Sequence, residues 1–188
     1  SSRFRTFLVE EEPERVSWDA IPGLSEDPDA WPRHLEAILS LPYLDVAALR
    51  ARRIRVALDC VHGAGGPVMS DLLEALGCIV EGIGMKPDGL FPRDPEPTAA
   101  NLTALGSLVR ESGAEIGLAV DPDVDRLALV DETGLAMGED LTLALASVAV
   151  LERTPGPVVT NLSTSQVVED VARAYGVRVV RAPVGEVN

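Results

Sequence analysis

Asp121, Asp123 and Asp125 stand two residues apart, directly after the apolar run Ile116-Gly-Leu-Ala-Val120, and Arg126 follows at once. On an extended chain that spacing puts three side chains on one side. Three carboxylates brought so close repel one another unless a positive charge sits between them. A hard divalent cation meets that need, and Mg²⁺ takes a few carboxylate oxygens together with water or phosphate oxygens. Arg126 beside them could grip a phosphate held by the same ion. The simpler alternative is a polar turn, since Asp and Pro both favour turns. A turn needs one Asp, however, not three at fixed spacing beside an Arg.

Two rival loops fit part of the pattern. A calcium loop of the EF-hand type starting at Asp121 finds Asp at its positions 1, 3 and 5 and Glu132 at position 12. Its sixth position needs Gly and here holds Arg126, and the flanks read as strands rather than helices. A phosphatase of the haloacid-dehalogenase type would use Asp121 as nucleophile and Asp123 as acid/base. That chemistry asks for a downstream basic residue and a later acidic pair at a strand end. The only lysine, Lys86, lies upstream, and Glu139-Asp140 opens a helix.

Other reactive side chains carry weaker signals. His62 opens the glycine turn His62-Gly-Ala-Gly-Gly66, whose backbone N–H groups could face a phosphate. The turn lacks the Lys-Ser/Thr of a P-loop and the spacing of a dinucleotide fingerprint, so a structural turn is the favoured reading. Ser163 and Ser165 read as helix caps, because no His follows either one. Cys60 and Cys78 lack metal-ligand spacing and read as small buried hydrophobes in a reducing compartment.

The elements that must position these residues follow an α/β rhythm. Strands are expected over 54–59, 78–83, 116–120, 127–130, 158–160 and 177–180. Helices are expected near 31–39, over 67–76 with Pro67 in the first turn, from a Thr98 cap to 112, over 138–152, and from a Ser163 or Thr164 cap to 175. Pro, Gly and Asp crowd the loop from Lys86 to Pro97. Strand, helix, strand at this spacing implies an open α/β sheet with flanking helices. Residues 1–42, with the acidic run Glu10–Glu14 and the apolar Trp18, Trp31, Leu35 and Ile38, read as a connecting segment that packs onto something. Residues 43–152 read as one α/β domain. After Pro155-Gly-Pro157 the rhythm restarts, and 153–188 reads as the beginning of a second, incomplete α/β unit.

Composition narrows the class. Hydrophobic residues make up 46% of the 188, so a sizeable core is available, yet aromatics are only 4%. Val, Leu, Ile and Ala must build that core, which suits layered α/β packing. A formal net charge of −14 with no basic stripe excludes a nucleic-acid binder. No apolar run approaches the roughly 20 residues needed to span a bilayer. Nothing at the start resembles a signal peptide, so a cytoplasmic location is the default expectation.

Several segments, taken in order, resemble the α-D-phosphohexomutase family of phosphoglucomutases, phosphomannomutases and phosphoglucosamine mutases. They are Leu58-Asp-Cys-Val-His-Gly-Ala-Gly-Gly66, Pro87-Asp-Gly-Leu-Phe-Pro92 with Pro95-Glu-Pro97, Leu118-Ala-Val-Asp-Pro-Asp-Val-Asp-Arg126 with Val130-Asp-Glu-Thr-Gly134, and Val184-Gly-Glu186. The resemblance covers residues 43 to 188. It implies the open mixed sheet of that family's second domain and the start of its third. It implies Mg²⁺ on Asp121, Asp123 and Asp125, a phosphate near Arg126, and Glu186 near the substrate cleft. It also implies transfer of a phosphoryl group between the 1- and 6-positions of a hexose phosphate, by way of a phosphoserine and a bisphosphate intermediate.

This sequence departs from the family at Pro122, where Gly is usual; Pro fixes φ and removes one N–H. The phosphoserine string Thr-x-Ser-His-Asn-Pro does not occur in the 188 residues, and neither do the later sugar-recognition and phosphate-binding loops. Remaining domains of a longer enzyme are therefore expected partners. Alone, the chain is expected to bind metal weakly and catalyse nothing. A non-catalytic acidic module that docks a partner through its N-terminal segment is the alternative from another class.

Overall fold

The computed structural model describes residues 16–185 apart from Pro22 and Leu24, so the Glu10–Glu14 run and Glu186 lie outside the described residues. Four strands form a sheet in the order β2-β1-β3-β4, with β1 at Arg55–Asp59, β2 at Ile79–Ile83, β3 at Ile116–Val120 and β4 at Leu127–Val130. β1 runs parallel to both β2 and β3, while β3 and β4 pair antiparallel. The sheet is therefore mixed and open, as the resemblance implies.

Helix α1 spans Ala30–Leu39 and α2 spans Val46–Arg52. α3, Gly65–Ala75, joins β1 to β2, and α4, Thr103–Ser112, precedes β3. Strand side chains alternate between faces, and the two cores divide accordingly. Val56, Leu58 and Val120 pack with Leu73 of α3. Ala57, Ala119, Ala128 and Val130 pack with Leu105 and Val109 of α4. Small residues dominate the second face because α4 lies close: a Cβ on Gly117 would sit 2.8 Å from Val109 Cγ2.

A second unit follows. Helix α5, Glu139–Leu151, packs against β4 and against α6, Val167–Ala174. β5, Val158–Asn161, and β6, Val179–Ala182, pair in parallel as a separate two-stranded sheet. No helix among the described residues is long and apolar enough to cross a membrane.

Local differences from the sequence reading have identifiable causes. Helix α2 is unanticipated, although Asp45 caps it by accepting from Ala48 N at 3.0 Å. Thr98 does not cap α4. A 3₁₀ turn over Ala99–Asn101 intervenes, and α4 begins after Leu102. α6 starts at Val167 rather than beside Ser163 or Thr164. Arg181 Nη1 donates to the carbonyls of Asn161, Leu162 and Thr164, which holds that stretch as a loop. The last strand begins at Val179, two residues late. In the N-terminal segment Trp31 Nε1 donates to Asp71 Oδ2 of α3 at 2.8 Å, but Trp18 is 85% exposed and α1 buries no residue.

Beyond β4, Asp131 Oδ1 accepts from Thr133 Oγ1, Thr133 N and Leu135 N. The Thr133 hydroxyl and these amides hold the Asp131 carboxyl below its usual value of 3.8. A depressed folded-state pKa contributes stability above the unfolded value, lost as pH falls through the folded one. Thr133 and Leu135 amides are thus expected to keep their exchange protection at pH 4 and lose it below the Asp131 titration, followed by NMR. Loss of protection already at pH 5 would contradict this.

Candidate metal centre

β3 delivers Asp121 to the sheet's edge of the loop, where it is 1% exposed. The chain then turns instead of running extended, which corrects the sequence expectation of an extended stretch. Val124 N donates to Asp121 O at 3.2 Å, and Val124 takes a left-handed φ of 65°. Asp121 Oδ1 accepts the backbone N–H of both Asp125 and Arg126 at 3.1 Å. Arg126 Nε donates to Asp121 Oδ2 at 3.0 Å. Asp121 is thus the side chain around which the loop winds. The turn brings Asp121, Asp123 and Asp125 together, with one carboxylate oxygen of each within 4.8 Å of the others. Asp123 and Asp125 are exposed.

Burial alone would push the Asp121 carboxyl up. The Arg126 N–H, the neighbouring Asp125 side chain and the Arg126 side chain outweigh burial and hold it below its usual value. Asp125 moves the other way, because its side chain faces the Asp121 carboxylate and shares the negative charge of Asp121 and Asp123. That mutual repulsion is what a cation between them would relieve. Around Mg²⁺ at about 2.1 Å, ligand oxygens lie roughly 3 to 4 Å apart. The three carboxylates fit such an ion after a small inward shift. An all-oxygen donor set suits Mg²⁺ rather than a soft metal.

The glycine turn braces this loop from beneath. Ala64 N donates to Pro122 O at 2.8 Å. A Cβ on Gly63 would lie 2.5 Å from Pro122 Cα and 2.6 Å from its carbonyl oxygen. His62 points elsewhere: its Nδ1 lies 2.9 Å from the Lys86 carbonyl and 3.4 Å from Asp88 Oδ1. It ties the turn to the next loop, in line with the structural reading. Cys60 is buried, which pushes its thiol up to about 12 and makes it a poor nucleophile.

Arg126 sits beside the carboxylates with its fork already engaged. Nη1 and Nη2 pair with both oxygens of Glu96, and this pairing, then Asp121, raises the guanidinium pKa. The Glu96 carboxyl is held below its usual value by Arg126. Glu96 escaped the sequence reading, because nothing at a separation of 30 residues announces a partner. Asp59 and Arg93 escaped it too. Arg93 Nη2 reaches the buried Asp59 Oδ2 at 2.7 Å and anchors the 86–97 loop to the end of β1. Asp125 and Arg126 face Thr142 and Asn161 of the second unit across a cleft of about 680 Å³. Ser163 and Ser165 take up local hydrogen bonds: Ser163 N donates to Asn161 Oδ1, and Ser165 Oγ accepts from Val167 N.

Known proteins resemble this chain in sequence and fold. Residues 32–134 match the model for the phosphoglucomutase/phosphomannomutase α/β/α domain II, and residues 138–188 match the model for domain III. The chain is 38% identical over 174 residues to the phosphoglucomutase/phosphomannomutase of Thermococcus kodakarensis, covering 92% of this chain and 38% of that protein. It is 34% identical to the phosphopentomutase of the same organism, again covering 92% of this chain and 36% of the relative. A crystal structure of a phosphoglucomutase/phosphomannomutase family protein from Burkholderia thailandensis superimposes with a TM-score of 0.70 at 28% identity, covering 82% of this chain and 33% of that one. The chain thus spans well under half the length of these relatives. Two consecutive family domains in order, with the aspartate loop closing the β3–β4 hairpin of the first, place this chain in the phosphoglucomutase/phosphomannomutase family.

Proposed function

We propose that this chain forms the metal-binding part of a sugar-phosphate mutase, an isomerase that moves a phosphoryl group between two positions of its substrate. The observation that carries this reading is the gathering of Asp121, Asp123 and Asp125 within 4.8 Å at the tip of one hairpin. These three side chains would hold Mg²⁺, which as a Lewis acid offsets charge on a transferring phosphoryl group. Asp121 orients the site, since its two oxygens are fixed by the loop's own N–H groups and by Arg126. Asp123 and Asp125 remain open to solvent and to a ligand. Arg126 stands at the rim of the cleft, where its fork can meet a phosphoryl group.

The phosphoserine that the family resemblance implies would come from another part of a longer protein, together with the loops that recognise the sugar. A hexose 1,6-phosphoryl transfer is the favoured reaction, because the family is named for glucose and mannose phosphates. The phosphopentomutase among the relatives makes a pentose phosphate the alternative substrate. Glu186 is proposed as a substrate neighbour on the resemblance alone.

Magnesium titration of the ¹⁵N-labelled chain tests the reading. Amide shifts are expected to centre on residues 121–126 and to saturate. Shifts scattered over the acidic surface, with none concentrated in that loop, would refute it.

A further inference from the structure

Both oxygens of Glu96 meet the Arg126 fork: Oε1 accepts from Nη2 at 2.9 Å, and Oε2 accepts from Nη1. The third edge, Nε, rests on Asp121. A carboxylate that offers two oxygens to a guanidinium presents the same pattern as a phosphoryl group. The pair is about half exposed, but three hydrogen bonds fix the Glu96 backbone. Its N–H donates to Asp94 Oδ1 at 3.1 Å. Its carbonyl accepts from Thr98 N at 2.8 Å and from Asn101 Nδ2 at 2.9 Å. Pro97, next to it, is fully buried. Arg126 lines the cleft shared with Asp125, Thr142 and Asn161.

We propose that Glu96 is a positioning residue that occupies the Arg126 fork in place of a phosphoryl group and gives it up when a phosphoryl ligand enters the cleft. Toward the aspartates the guanidinium presents Nε, 3.0 Å from Asp121 Oδ2 and 3.5 Å from Asp125 Oδ1. The exchange makes the fork available to a dianion while never leaving it unpaired beside three carboxylates. This inference rests on the mutase reading, which assigns Arg126 to an anion.

Inorganic phosphate is the probe, titrated into the full ¹⁵N-labelled chain while the backbone amide signals of residues 121–127 are followed, together with the Arg126 Nε–Hε signal wherever Arg126 is present. Glu96→Gln is expected to bind phosphate about fivefold more tightly than the unsubstituted chain, because the ligand no longer displaces a carboxylate. Glu96→Asp keeps the charge but falls one methylene short, and is expected to show part of that gain. Asp140→Asn removes the same charge at the start of α5 and is expected to change affinity by less than about twofold. Combining Glu96→Gln with Arg126→Gln should abolish the gain. The idea is overturned if Glu96→Gln shows no gain, if Asp140→Asn matches it, or if the gain survives without Arg126. Magnesium titration of the unsubstituted chain separates the two readings. Absent loop shifts would sink the metal-centre reading of the aspartate loop, whereas an unchanged phosphate affinity in Glu96→Gln with normal magnesium shifts would sink only the role of Glu96.

Discussion

Arg93→Met is expected to destabilise the chain by about 3–5 kcal/mol, the usual cost of stranding a buried charge. Asp59 is 3% exposed at the end of the central strand β1. Its Oδ1 accepts from Val61 N at 2.8 Å, and its Oδ2 accepts from Arg93 Nε at 3.2 Å and Nη2 at 2.7 Å. Methionine fills much of the arginine's volume and supplies none of its donors. The carboxylate then faces the interior with a single amide for company. Arg93 Nη1 also holds the Asp94 carbonyl at 2.8 Å, so the loop carrying Glu96 would loosen as well. Adding Asp59→Asn is expected to restore part of the loss, since a neutral amide needs no counter-charge and still accepts from Val61. Urea unfolding measures both. A loss below about 1 kcal/mol would mean that the pair behaves as an exposed ion pair.

Gly63→Ala tests how the aspartate loop is held. The new methyl would lie 2.5 Å from Pro122 Cα, and the atoms it meets are backbone, which cannot swing aside. Either the glycine turn or the aspartate loop must move, at about 1–3 kcal/mol of strain. The hydrogen bond from Ala64 N to Pro122 O joins the two, so the displacement reaches the carboxylates. Magnesium affinity is expected to fall about ten- to a hundredfold, as it does when supporting contacts behind metal ligands are lost. Calorimetric titration beside a thermal melt separates the two effects. Undiminished affinity in a folded Gly63→Ala chain would show that the turn does not brace the site. The choice of Pro122 sharpens the test, because its ring leaves the loop fewer conformations in which to absorb the push.

How much of this was legible beforehand depended on the range of the interaction. β3 and β4 are read to the residue, Ile116–Val120 and Leu127–Val130, because uninterrupted apolar runs between turn formers leave little choice. Helix starts were read less well. Thr98 and Ser163 look like caps locally, but an anchored loop at Glu96 and the reach of Arg181 to three carbonyls moved both starts downstream. α2 was missed because a seven-residue helix carries too short a pattern to stand out, even with Asp45 in place.

By itself the sequence determined the α/β alternation, the family, and the placement of three carboxylates and an arginine in one short loop. Those features are local, set by residue types a few positions apart. Only the tertiary structure decided what surrounds them: Glu96 on the Arg126 fork, Arg93 on Asp59, and Gly63 beneath Pro122. These contacts join residues 30 to 59 positions apart, and no period or motif in a chain encodes which distant side chains will share a space. The aspartates show both halves at once. Their spacing announced a cluster of negative charge, yet it is the turn wound around the buried Asp121, pressed between a glycine loop and a helix-backed sheet, that brings the three carboxylates together.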